Sequence, residues 1–486
     1  MGVIARQGLK YSIVSYISLI LGTVNVLFLY TRFLTEEEIG IQRYIVDFAL
    51  TVIPFASFGL EALVVRFFPK FKSSENNLHN GFLGFLCCIP IPFILLTTIV
   101  ISLLPPAAVK EPVGVSIMIV LLIYTKVFTN FCINFNRIVV PNLINNLVVK
   151  ILSPILAFVY YYHDFPFYVF VYGVVSIYSF TLALLIAYVI FLRQFNLRLR
   201  LSYLNKELLY NMFIFQLYGI LGRIGTELVN RLDIIMLAIL SGLKYTGIYT
   251  IALVIARAID IPKQALNSIS LGILNKAFNS KNLEEVKNVY YKSCLVQYIG
   301  ALFLFTAIWL SIDSLFDFLP DGSQFKEGKY VVFYLGLAKI IDAITGTNNE
   351  VIGLSKYFRF NFYIILLLAL INFVLNWILI PIYLLQGAAI ASMLSVFFYN
   401  IGKSAYIYYR YKMNPLTGSY IGLGLYTLAV YMGISTLPST TYPILDIFIT
   451  SSLFSLLYAV YVYMSKISTD INELLNKLFA LAFNKR

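Results

Sequence analysis

Lys126, Lys150, Arg223, Arg231, Arg257, Lys263 and Lys339 lie inside long apolar stretches, together with seven acids: Asp47, Glu61, Glu227, Asp233, Asp260, Asp342 and Glu350. A charge at the centre of a bilayer costs at least roughly 2.5–3.5 kcal/mol, so it faces a partner charge, a watery cavity or a substrate. The chemistry on offer is charge pairing and the binding of polar ligands. Arg223 and Arg231 each reach Glu227 along their own helix, Arg257 and Lys263 each reach Asp260, and Lys339 reaches Asp342. Own-helix pairing is one expectation for these five; the other is that Arg223, Arg231, Arg257 and Lys339 line an anion-binding cavity. Lys126 and Lys150 have no acid within four residues. Unless Asp47 or Glu61 supplies one from another span, they are the candidates to hold an anionic group such as phosphate, which lysine binds as a point charge.

Uncharged polar residues repeat at helical spacing around them. Tyr11, Ser15, Ser18, Gly22, Asn25 and Arg32 form one stripe; Arg43, Asp47, Thr51, Pro54 and Glu61 form the next. Lys126, Asn130, Asn134 and Arg137 follow, then Asn142, Asn146, Lys150 and Ser153. Later stripes are Arg223, Glu227 and Arg231; Arg257, Asp260, Gln264 and Asn267; Lys339, Asp342 and Thr345; and Asn372 with Asn376. Polar faces cannot turn to lipid, so each lines a helix contact or a cavity. Taken together, the stripes are expected to share a cavity.

The elements that carry these stripes must be membrane helices. Hydrophobic residues make up 60% of the chain and charged ones 12%, with a mean hydropathy of +0.83, whereas soluble domains carry about a quarter charged residues. Runs of about 20 apolar residues without strict alternation exclude a barrel. We read fourteen spans, near 11–31, 41–65, 82–104, 113–135, 141–162, 167–191, 211–240, 246–272, 291–312, 330–350, 361–382, 387–409, 418–437 and 444–464. The first is too long, and too poor in cleavage signals, for a signal peptide. Counting residues near span ends with the adjoining loop, 23 basic residues fall on the side of the N-terminus and 6 on the other. Both termini are therefore expected in the cytoplasm, and the net charge of +13 reflects topology and does not call for nucleic acid.

Other chemistry has little to build on. Cys87, Cys88, Cys132 and Cys294 form no CxxC pair, and His79 and His163 lie far apart, so neither a metal site nor a catalytic centre is expected. Thr35 and Glu38 have the spacing of a helix-capping box. Ile467, Ile471, Leu474, Leu475, Leu478 and Leu481 share a face, as an interfacial helix would. A weak repeat relates Gly40, Ile41 and Pro54 to Gly247, Ile248 and Pro262 at an offset of about 207 residues, matching span two to span eight. It predicts two six-helix halves with two spans appended. Their bounds are 1–195 for the first lobe, 196–210 for a cytoplasmic linker, 211–412 for the second lobe, 413–465 for the last two spans and 466–486 for an amphipathic tail.

The N-terminal QGLKYSIVSYISLILGTVNVLFLYTRFLTEEEIGIQRY, the following FASFGLEALVVRFFPKF, and the stretch NRLDIIMLAILSGLKYTGIYTIALVIARAIDIPKQALNSI, with Asp233, Gly247, Tyr249, Ala252 and Pro262, carry a resemblance. The chain resembles the polysaccharide-transport branch, of the O-antigen and capsule flippase type, in the multidrug/oligosaccharidyl-lipid/polysaccharide (MOP) superfamily. That resemblance implies an all-α membrane fold of two pseudo-symmetric six-helix lobes around a central cavity. It implies a flippase for undecaprenyl-pyrophosphate-linked oligosaccharides, working beside glycosyltransferases and a polymerase in the bacterial inner membrane, without covalent chemistry. Coupling to H⁺ or Na⁺ through Asp47, Asp233 or Asp342 would fit the superfamily. A drug antiporter of the superfamily would be expected to carry an acid in span one, which has none. A lipid II flippase would share the overall form, and Arg257 sits where such proteins favour an arginine, yet their early Arg-Asp motif is absent. A membrane polymerase would need a large outer catalytic loop.

Overall fold

The computed structural model describes residues 14, 17–71, 81–105, 109–135, 137, 139–198, 206–438, 440–473 and 476. Every regular element among them is helical. Nine helices are long and apolar enough to cross a bilayer, ten when the bent pair 322–344 and 348–354 counts as one span. The difference from fourteen has identifiable sources. Spans one, seven and thirteen are helical over Ile17–Phe33, Lys206–Leu240 and Gly418–Ser435 but are shorter or more polar. Spans eleven and twelve lie in one stretch, Arg359–Tyr411, interrupted at Leu384 with φ 52° and ψ −128°. Twenty residues of straight helix would span about 30 Å, yet Asn372 Nδ2 donates to Ser392 Oγ at 3.3 Å. The stretch is therefore a hairpin.

In chain order the helices are α1 (Ile17–Phe33), α2 (Glu36–Ala56), α3 (Leu60–Phe71), α4 (Phe82–Cys88), α5 (Ile91–Leu103), α6 (Pro112–Ile133), α7 (Val139–Tyr162), α8 (Phe167–Phe191) and α9 (Lys206–Leu240). They continue with α10 (Leu243–Arg257), α11 (Ile261–Asn279), α12 (Leu283–Leu310), α13 (Ile312–Phe318), α14 (Lys329–Ile344), α15 (Asn348–Leu354), the hairpin α16 (Arg359–Tyr411), α17 (Gly418–Ser435) and α18 (Pro443–Ser465). Thr35 and Glu38 close the expected capping box on α2.

Two compact units result, Met1–Thr250 and Ile251–Arg486. The first unit takes in span seven and the start of span eight, past residue 195, and the internal repeat supplies a reason. A β-carbon on Gly40 would collide with the Leu243 carbonyl, and one on Gly247 with the Glu36 carbonyl. The two repeat glycines thus let α2 and α10 cross at backbone contact. Where the repeat places its prolines, the helices break. α2 ends just past Pro54 at Phe58 (φ 48°) and Gly59 (φ 65°), and a single 3₁₀ turn at residues 258–260 precedes Pro262. A third break lies at Gly346 (φ 54°), where a β-carbon would stand 2.7 Å from the buried Cys294 Sγ. Of the tail, Ile467 and Ile471 pack against the core of the second unit; Leu474, Leu475, Leu478 and Leu481 lie outside the described residues.

Candidate functional site

In the first unit the embedded charges form an alternating line. Arg43 Nε lies 2.5 Å from Asp47 Oδ2. Asp47, only 1% exposed at its side chain, is also bound through Oδ1 by Arg231 Nη1, and Arg231 Nε reaches Glu227 Oε2 at 2.8 Å. A buried carboxylate between two guanidiniums is stable only as such a set, because removing one member leaves a charge uncompensated. Arg231 and Glu227 were expected to pair on α9; the bond to Asp47 on α2 comes from tertiary packing. Lys126 Nζ binds Glu61 Oε1 at 2.8 Å, so Glu61 supplies the acid that its own helix lacks and Lys126 carries no net charge into the site.

Lys150 differs. Its ammonium donates to the Ser18 carbonyl and to Ser18 Oγ, both at 2.7 Å. No carboxylate among the described residues lies within ion-pair distance of it, so these uncharged oxygens orient the charge without cancelling it. The surroundings are built for this. Residues 25–30 and 144–148 are π-helical turns within α1 and α7, a geometry that widens a helix by one residue and often marks functional positions. Across the contact Asn25 Nδ2 donates to the Lys150 carbonyl. Asn146 Nδ2 donates to the Asn142 carbonyl at 3.0 Å, and Ser18 Oγ to the Asn146 carbonyl at 3.4 Å. Gly22 lies beneath Lys150, whose Cε and Nζ are 3.1 Å from where a β-carbon would stand. On α6, Asn134 Nδ2 donates to the Val64 carbonyl at 3.2 Å, and Asn130 is half-buried. Tyr11, Ser15 and the side chain of Arg223 lie outside the described residues.

In the second unit the own-helix expectation fails in an orderly way. Lys263 binds Asp342, and Lys339 Nζ binds Asp260 Oδ2 at 3.2 Å. Each helix carries an acid and a lysine three residues apart, and they exchange partners across the contact. Asp260 belongs to the 3₁₀ turn ahead of α11. Arg257 is exposed at the end of α10. Around Asp342 a network closes beside the break at Gly346. Asn400 Nδ2 donates to Asp342 Oδ1 at 3.2 Å, while Thr345 Oγ1 and Asn348 Nδ2 donate to Asn400 Oδ1 at 2.7 and 2.9 Å. Asn376 Nδ2 donates to Asn372 Oδ1 at 2.9 Å, so these two asparagines serve the hairpin. Of the acids considered for ion coupling, Asp47 and Asp342 are thus held by cations, and Asp233 Oδ2 accepts from Tyr249 OH at 2.9 Å.

Lys403 belongs with the embedded cations, though sequence reading counts it with the cytoplasmic loop that follows its span. Its side chain is fully buried, its ammonium lies 4.1 Å from the Tyr399 ring centroid, and Nζ makes no hydrogen bond among the described residues. The available signal was its place three residues beyond Asn400 in an apolar run.

Many apolar helices with polar faces sunk within them define a polytopic membrane protein. The chain belongs to the family described as polysaccharide biosynthesis protein, whose model matches residues 4–270. Its fold is that of the MOP superfamily. It is similar to the lipid II flippase MurJ in an inward closed conformation, at 14% identity over 94% of this chain and 99% of that one, with a TM-score of 0.70. A multidrug resistance MATE transporter of the MOP superfamily is also similar. Its inward-facing form gives 11% identity over 81% of this chain and 94% of that one, TM-score 0.63; the outward-facing form of such a transporter gives 12%, 84%, 95% and 0.51. No curated protein matches the chain by sequence.

Proposed function

We propose that the chain carries an undecaprenyl-pyrophosphate-linked oligosaccharide repeat unit from the cytoplasmic to the outer face of the bacterial inner membrane by alternating access, for O-antigen, capsule or exopolysaccharide synthesis. The single observation that carries the reading is Lys150: an embedded ammonium, oriented by Ser18 and with no carboxylate at ion-pair distance among the described residues, suits a pyrophosphate and not a cationic drug. Membership of a polysaccharide biosynthesis family supports a glycan as the rest of the cargo. The excess of basic residues on one side, 23 against 6, supports both termini in the cytoplasm, where glycosyltransferases would load the carrier and from which a polymerase would draw it outside. Lipid II is a cargo of the same chemistry, and the fold shared with its flippase keeps that reading second. If an H⁺ or Na⁺ gradient drives the cycle, Asp342 is the best-supported acid, because Lys263 and Asn400 hold it beside a helix break.

The test is deletion of the gene with an assay of surface glycan and lipid-linked intermediates. Intermediates should collect on the cytoplasmic leaflet and surface glycan should vanish. Normal glycan with loss of drug efflux would overturn the proposal, and arrest of cell-wall synthesis alone would favour the lipid II reading.

A further inference from the structure

The second unit holds a cup that none of this uses. It has a volume of about 370 Å³ and sits where the ends of α12 and α17 meet the starts of α14 and α18, at the end that loop charges assign to the outside. Trp309, Asp313, Lys329, Tyr431, Asp446 and Thr450 are among its walls. Lys329 Nζ donates to both Asp313 oxygens, at 2.8 and 2.6 Å, and lies 5.5 Å from the Trp309 ring centroid. Asp446 is 9% exposed, and its Oδ1 accepts the Thr440 backbone N–H at 2.6 Å. Beneath it Ser311 Oγ lies 3.0 Å from Thr450 Oγ1 and 3.2 Å from Ser451 Oγ. The walls are held in place by one another, so the cup is preorganised.

We propose that this cup binds a neutral sugar ring of the transported glycan; the inference rests on the glycan-carrier reading above. Size fits, since the volume lies at the low end of the roughly 300–1,000 Å³ of small-molecule pockets and holds one or two rings. Charge selects. Two carboxylates against one ammonium leave the cup net negative, which repels a phosphate or an acidic sugar and makes it the opposite of the Lys150 site. Carboxylates accept from vicinal hydroxyls, the ammonium donates to a ring or hydroxyl oxygen, and an indole offers a flat apolar surface to the C–H face of a sugar. The cup also gives the last two helices a task, because α17 and α18 supply Tyr431, Asp446 and Thr450.

The sequence has two tryptophans, and the other, Trp377, is 60% exposed on the hairpin. Trp377→Phe in the purified full-length chain therefore leaves Trp309 as the sole reporter. Titration with glucose, galactose, N-acetylglucosamine and N-acetylgalactosamine should give a saturable emission change with at least one of them, and glucuronate should give none. Asp446→Asn should weaken that binding by about tenfold or more, the loss expected for a charge-assisted hydrogen bond. Because that change also disturbs the tie to Thr440, Ser314→Phe, which fills the cup from its wall, should abolish binding with an unaltered melting midpoint. The inference is overturned by no saturable change with any of the four sugars, by an equal response to glucuronate, or by a response that survives both substitutions. Free sugars need no lipid carrier, so absent binding with intact glycan export sinks the cup alone. Binding without export sinks the transport reading and leaves the cup standing.

Discussion

The two units treat embedded charge differently. The first strings Arg43, Asp47, Arg231 and Glu227 into one alternating line, pairs Lys126 with Glu61, and sets Lys150 on the uncharged oxygens of Ser18. The second pairs Lys263 with Asp342 and Lys339 with Asp260 crosswise, and buries Lys403 against an aromatic ring. The lesson lies in the two lysines, Lys150 and Lys403, that form no ion pair among the described residues. Lys150 is half-buried and held by two hydrogen bonds, as a ligand group would be, whereas Lys403 is wholly enclosed.

The comparison breaks most visibly at Lys150. Lys150→Ala should abolish complementation of the deletion strain at normal protein level, while Lys126→Met combined with Glu61→Gln, which removes a neutral pair, should retain it; equal loss in both would erase the distinction. Next in size is Asp47→Asn, which leaves Arg43 and Arg231 facing each other. A broken buried pair costs about 3–5 kcal/mol, read as a large fall in melting midpoint in detergent. In the second unit, exchanging Lys263 and Asp342 should cost much less than either single substitution. A double-mutant cycle should return a coupling of about 0.5–3 kcal/mol, and a value near zero would mean that the crossed pair is no pair. Gly40→Ala pushes a methyl into the Leu243 carbonyl, and overpacking of this kind costs about 1–3 kcal/mol. The smallest effect is expected at Lys403. Replacing this buried ammonium, which forms no hydrogen bond or ion pair among the described residues, by methionine should leave the midpoint unchanged or raise it, in contrast to Lys263→Met, and a fall as large as that of Lys263→Met would mean that nearby carboxylates hold Lys403.

Much of the fold was legible because lipid imposes a simple rule. Helices had to be apolar, about 20 residues long and polar on one face, and Ser18, Gly22 and Asn25, like the stripes through Asn146 and Asp342, are buried or half-buried, while Arg32 is exposed. The capping box at Thr35 could be read because it is closed within four residues. Breaks were harder. Pro54 and Pro262 mark two of them, but the turn at Leu384 and the bend at Gly346 depend on what packs beside the chain. For the site, local spacing identified Arg231 with Glu227 and failed for Lys263 and Lys339, whose partners stand 79 residues away.

The sequence by itself determined that this is a helical membrane protein and which residues must avoid lipid, since those follow from transfer energies summed along the chain. Tertiary structure alone decided which charges cancel. Coulomb attraction at hydrogen-bond range depends on ångströms between helices, and spacing along one helix does not report them. That is why Lys126 and Lys150, alike in sequence, part company: Glu61 reaches one ammonium and Ser18 the other.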